Sequence, residues 1–185
     1  MHILNYQIFH FINDYNPAYI GKLNKKIKLI YRNHKNRLDL HSLKKLQIFC
    51  RSNGYKIYLS NDFKLAIKLN FDGVYISSFN KKLILKNKIY QKFTILGSAH
   101  NLKEIRIKER QGVEVIFLSP VFVNKNNRYL GIYNYLKLKN LTKCKSVALG
   151  GVNEKNLKLL YIYGINNFAS IKFIKNIYEW KYLRT

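Results

Sequence analysis

The sequence predicts a closed parallel (β/α)8 barrel in a trimmed form, an α/β fold with short helices. Three observations carry that expectation. Eight short apolar runs alternate with polar or amphipathic segments along the chain, the pattern of repeated strand-then-helix units. Gly54 and Gly112 stand where two of the helices should stop. No linker or internal repeat divides the 185 residues, which makes residues 1–185 one barrel domain, short for its class.

The elements follow in order. Ile8 to Ile12 reads as the first strand, ended by Asn13 and Asp14, with a short helix from Pro17 to Leu23. Ile27 to Tyr31 is the second strand. Asp39 to Asn53 is an amphipathic helix, with Leu40, Leu43, Leu46 and Cys50 on one face. Lys56 to Ser60 is the third strand and Phe63 to Leu69 a short helix. Val74 to Ile76 and Thr94 to Gly97 are the fourth and fifth strands, and Asn101 to Gln111 is helical. Val113 to Leu118 is a buried strand, followed by a polar loop at Asn124 to Arg128 and a short helix near Ile132 to Leu138. Val147 to Leu149 is the seventh strand, Asn153 to Tyr163 a helix, Phe168 to Ile171 the eighth strand, and Ile174 to Tyr182 a final helix.

Such a TIM barrel carries its ligand chemistry in the loops after the C-terminal ends of the strands. The polar residues expected there are Asn13, Asp14, Arg32, His34, Lys35, Asn61, Asp62, Tyr75, Ser77, Ser78, Ser98, His100, Ser119 to Asn127, Gly150, Gly151 and Ser170 to Lys172. The run Ser146 to Val152 is the most specific of these. A strand ends in Gly150-Gly151 and a helix starts at once, so backbone N–H groups and a helix N-terminus favour an anion. A simple Gly-Gly turn is the alternative. Arg32 at a strand end in the mouth also calls for an anion. Asp62 has two readings, a metal carboxylate or the cap of the helix from Phe63. His100 likewise reads as an acid-base group or as a residue at the start of a helix.

Charge and composition bound the partners. With 34 Lys and Arg against 9 Asp and Glu, the formal net charge is +25, which alone suggests nucleic acid or an anionic membrane. The chain is also rich in Lys, Asn, Ile and Tyr, residues of A- and T-rich codons, and its basic residues are scattered. That spread argues for coding bias and solvated faces over a nucleic-acid surface, while the positive field still attracts phosphorylated metabolites. The 48% hydrophobic fraction fits a globular chain. No run approaches the ~18 apolar residues of a spanning helix, so no membrane partner is expected. Met1 to Ile12 has no basic leader and reads as no signal peptide. Cys50 and Cys144, far apart and outside metal-like spacing, read as reduced thiols of a cytoplasmic protein, with a pairing left open.

The fragments Tyr31-Arg32, Leu59-Ser60-Asn61-Asp62 with Ala66, Asp72-Gly73-Val74-Tyr75, Leu96 to His100, Ser119 to Phe122, Ala148 to Val152 and Phe168 to Ile171 resemble, in order and spacing, the thiamine phosphate synthase and thiazole tautomerase family. The resemblance covers about residues 27 to 175. It implies an enzyme that joins an aminopyrimidine diphosphate to a thiazole phosphate, with Mg²⁺ and loss of diphosphate. It assigns the thiazole phosphate to Gly150 and Gly151 with Ser170, Ile171 and Lys172. It assigns Ser98 and Arg32 to the reacting groups, and Asp62 to the metal. Arg32, His34, Lys35, Asn61, Asn124 and Lys125 fall to the pyrimidine and diphosphate. The chain departs from the family pattern at Ile30, His34, Tyr75, Asn80 and Asn124 to Asn127, and Pro120 stands at the tautomerase's catalytic histidine. Two alternatives remain open: a non-synthase barrel that binds or isomerises a thiazole or thiamine phosphate, and a basic nucleic-acid-binding protein. A homo-oligomer also stays open.

Overall fold

The computed structural model describes residues 7–32, 39–83, 93–123 and 129–170. Within them eight parallel strands close into a barrel in chain order: β1 (Gln7–Ile12), β2 (Lys28–Tyr31), β3 (Ile57–Ser60), β4 (Gly73–Ile76), β5 (Thr94–Ala99), β6 (Val115–Leu118), β7 (Lys145–Leu149) and β8 (Asn167–Ser170). β8 closes on β1 through Gln7↔Asn167 to His10↔Ser170. The described helices are α1 (Pro17–Ile20), α2 (Leu40–Ser52), α3 (Phe63–Lys68), α4 (Leu102–Arg110), α5 (Gly131–Leu141) and α6 (Glu154–Ile162). The expected strands, and the expected helices up to the one at Asn153 to Tyr163, appear with shifts of a few residues at their ends. The expected helix near Ile174 to Tyr182 lies outside the described residues.

Local chemistry sets the helix ends. Asp39, Asp62, Asn101 and Asn153 each accept a backbone N–H one turn into α2, α3, α4 and α6. Asn153 and Asn156 complete a reciprocal capping box, and Gly54 and Gly112 follow α2 and α4 at positive φ.

Two apolar layers fill the molecule. Outward-facing strand residues such as Leu29, Ile57 and Ile116 meet Leu43, Leu46 and Ile105 of the helices. The inner layer draws Phe9, Phe11, Ile30, Tyr58, Tyr75, Leu96, Val115, Phe117, Val147 and Ala169 from all eight strands. Phe117 stacks edge-on against Phe9 at 4.9 Å and Tyr75 at 5.3 Å, and Phe11 meets Tyr75 at 5.2 Å. The barrel interior is therefore a packed aromatic floor, and ligand chemistry is confined to the rim above it.

Candidate active site

At the centre of the mouth three strands bring Arg32, Tyr75 and Ser98 together. Arg32 extends β2 by one residue, its N–H donating to Ile12 O at 2.8 Å. Its guanidinium lies 4.7 Å over the Phe11 ring. Nε of Arg32 is buried with no hydrogen-bond partner among the described residues. Burial holds the guanidinium pKa below its ordinary value, and the Tyr75 phenol opposes that shift. Tyr75 hydrogen-bonds Ser98. Burial raises the phenol pKa, while Ser98 and the Arg32 charge pull it down. Tyr75, a departure from the family pattern, is thus the link between two candidate residues.

A hydrogen-bonded rim runs from β3 to β7. Asn61, left-handed at φ 60°, accepts from Ser77 N–H at 2.9 Å and donates to Ser77 Oγ at 2.9 Å. Asn80 Nδ2 reaches Asn61 Oδ1 at 3.4 Å. The Asn61 amide is engaged with the loop after β4, which is why it braces the rim rather than offering an open donor. Ser78 Oγ meets His100 Nε2 at 3.1 Å, and His100 Nδ1 meets the Ser119 carbonyl oxygen at 2.6 Å. Nδ1–H must donate to that carbonyl, and in the neutral ring Nε2 then accepts from the Ser78 hydroxyl. His100 precedes the Asn101 cap of α4, its N–H donates to Glu104, and its ring latches three loops together.

The rim ends at the two glycines. Val121 N–H donates to Leu149 O at 2.9 Å and Phe122 N–H to Gly150 O at 3.1 Å. Gly150 and Gly151 have φ of +92° and +71°. A Cβ on Gly150 would stand 2.7 Å from Pro120 Cα, and one on Gly151 2.7 Å from Phe122 Cβ. The close backbone approach expected toward a ligand is therefore made first toward the loop after β6. The N–H groups of both glycines have no acceptor among the described residues. Gly151 O is held by Asn156 Nδ2 at 2.7 Å, which fixes the turn to α6.

Asp62 caps α3, accepting Leu65 N–H at Oδ1. Both readings of this carboxylate stay compatible, because Oδ2 carries no bond among the described residues. No three His, Cys, Asp or Glu side chains of the described residues stand close enough to hold a metal. Ser170 is buried at the top of β8, beside His10. His34, Lys35, Asn124, Lys125, Ile171 and Lys172 lie outside the described residues. Both cysteines are free, and burial pushes the Cys50 thiol up to about 12. No described helix is long and apolar enough to cross a membrane. Sequence reasoning missed the His100 latch and two buried polar residues, Lys108 of α4 and Gln111 at its C-cap. Their signal was a polar pair continuing the apolar stripe of Ile105.

A family model described as thiamine monophosphate synthase matches residues 22–174. The thiamine-phosphate synthase of Pelagibacter ubique is 27% identical over 177 residues, covering 92% of this chain and 86% of that protein. That of Prochlorococcus marinus is 29% identical over 135 residues, covering 71% of this chain and 39% of the relative. The Methanococcus vannielii enzyme is 24% identical, covering 63% of this chain and 58% of the relative. The last two matches thus span less than two thirds of the relatives' length. A thiamine phosphate pyrophosphorylase structure from Pyrococcus furiosus superposes with a TM-score of 0.75 at 17% identity, covering 96% of this chain and 94% of that one. An HpcH/HpaI aldolase from Desulfitobacterium hafniense superposes at 0.63 with 8% identity, covering 89% of this chain and 85% of its own. The barrel alone therefore does not select the chemistry.

Proposed function

The chain belongs to the thiamine monophosphate synthase family, and we propose that it is a transferase of thiamine biosynthesis that joins an aminopyrimidine diphosphate to a thiazole phosphate. The carrying observation is Arg32, an always-charged group in the mouth whose buried Nε has no partner among the described residues. A buried donor on a fixed cation is costly until an anion reaches it.

In this reading Arg32 holds the diphosphate, with His34, Lys35, Asn124 and Lys125 adding charge and donors around it. The C–O bond of the diphosphate ester breaks, the electron pair leaves with diphosphate, and the thiazole nitrogen closes on the freed methylene carbon. Ser98, oriented by Tyr75, faces the reacting groups. Gly150 and Gly151, with Ser170, Ile171 and Lys172, hold the thiazole phosphate through backbone N–H groups. A magnesium ion fits only as one resting on Asp62 and on substrate oxygens, since no all-protein cage is present among the described residues. Bound there, it neutralises the diphosphate and stabilises it as a leaving group. Phosphorylated small molecules are the proposed partners, and a cytoplasmic single-domain enzyme is the proposed setting. Isomerisation of the thiazole is disfavoured, because the rim presents Pro120, which has no proton to transfer, against Gly150.

Purified protein with both substrates and Mg²⁺ should yield thiamine phosphate, detected by mass. Asp62→Asn keeps an oxygen for the helix cap and removes the charge. Lost turnover in that folded variant supports the metal role. Full turnover rules the metal role out. No product from the folded wild type rules out the synthase itself.

A further inference from the structure

We infer that Lys108 of α4 and Gln111 at its C-cap, buried outside the barrel wall, are positioning residues that set the geometry of the Asn61–Asp62–Asn80 edge of the mouth. The inference rests on reading that mouth as the synthase site.

The buried face of α4 runs Ile105, Lys108, Gln111 at three-residue spacing, and both polar residues are 0% exposed. Lys108 Nζ donates to Ser77 O at 2.8 Å, Asn80 O at 2.7 Å and Gln111 Oε1 at 3.0 Å. An ammonium has three N–H donors, and here all three are engaged. Gln111 Nε2 donates to Asn80 O at 3.0 Å and Lys82 O at 2.7 Å. Four bonds from one helix thus fix three carbonyls of the loop after β4. Gly97 makes room for the lysine stem, since a Cβ there would stand 3.2 Å from Lys108 Cδ.

The same loop is gripped from the opposite side. Asn61 accepts Ser77 N–H and reaches Asn80 Nδ2, while Asp62, its neighbour, caps α3. The carbonyls are held by α4 and the amide side by Asn61, which leaves the loop one geometry. Apolar residues at 108 and 111 could fill this face, but the Ser77, Asn80 and Lys82 carbonyls would lose these donors. What the polar pair adds is a defined position for Asn80 relative to Asp62, the edge where the diphosphate and its metal would sit.

Lys108→Met and Gln111→Leu in the full chain test this. Steady-state kinetics with both substrates and Mg²⁺ should show KM for the diphosphate substrate raised about tenfold or more, as a displaced loop implies. KM for the thiazole phosphate should stay within about twofold, because Gly150 and Gly151 hang on β6 and β7. Amide exchange at Ser77, Asn80 and Lys82 should quicken in the same variants. A folded variant with both KM values unchanged, or both raised equally, overturns the inference. If Lys108→Met does not fold, Gln111→Leu carries the test, since it removes only the bonds of the amide. If the wild type shows no turnover, the synthase reading falls and exchange alone decides: quickening confined to the loop supports the positioning role, and unchanged exchange ends it.

Discussion

Replacing Gly151 with alanine tests the structural account of the glycine turn. Two costs add. At φ +71° a Cβ occupies the left-handed region, which costs about 1–2 kcal/mol for a non-glycine residue. The new methyl would also stand 2.7 Å from Phe122 Cβ, 2.8 Å from its carbonyl oxygen and 2.9 Å from its carbonyl carbon. Two of these atoms are backbone, held where Phe122 N–H bonds Gly150 O, so relief requires moving the loop. Overpacking of this kind costs about 1–3 kcal/mol. Gly54 is the internal control. Its φ is +74°, yet nothing lies within 4 Å of its would-be Cβ, so Gly54→Ala bears only the conformational term. Gly151→Ala should therefore unfold at a temperature about 2–12 °C below Gly54→Ala, converting the overpacking term at about 2–4 °C per kcal/mol. Thermal unfolding by circular dichroism reads the difference. Equal midpoints for the two variants would refute the claim that the turn is wedged against the loop after β6.

Three further outcomes follow from the geometry. Tyr75→Phe keeps the ring contacts with Phe11 and Phe117 and removes the bond to Ser98, so it should fold, lose about 1 kcal/mol of stability and slow turnover about tenfold. Wild-type kcat in this variant would remove Tyr75 from the site. Arg32→Lys should raise KM for the diphosphate substrate about 10–100-fold, because a point charge replaces a planar donor fork stacked on Phe11. An unchanged KM would detach Arg32 from diphosphate binding. Burial pulls the Lys108 ammonium down to about 8, from an ordinary 10.5. Between these values the unfolded chain holds a proton that the folded chain has lost, so this group's contribution to stability rises as pH climbs from 8 to 10.5. The wild type minus Lys108→Met difference in unfolding free energy, from urea titrations, should therefore shift toward the wild type across that window, by about 3 kcal/mol at most. A flat difference would contradict the depressed pKa.

The elements and their order were legible because their signals are local. Asp39, Asp62, Asn101 and Asn153 cap helices they directly precede, and Gly54 and Gly112 end helices they directly follow. The motif order from Arg32 to Ser170 likewise pointed to the family without any contact being known. The interior face of each strand was not legible. Barrel strands are buried on both sides, so even His10, in the middle of Ile8 to Ile12, is buried and meets Tyr19 of α1, and the run of large apolar residues around it does not mark Phe9 and Phe11 as inward-facing.

The sequence by itself determined a (β/α)8 barrel, its helix ends and the strand tips on which polar residues stand, because periodicity, caps and glycine stops act over a few residues. The tertiary structure decided what those residues do. It turned Gly150 and Gly151 against Pro120 and Phe122, set Tyr75 between Arg32 and Ser98, and buried Lys108 behind Ser77 and Asn80. Each of these contacts joins segments about 30 or more residues apart, with the exception of the Tyr75–Ser98 pair at a slightly shorter reach. The register between neighbouring parallel strands fixes them, and no local pattern carries that register.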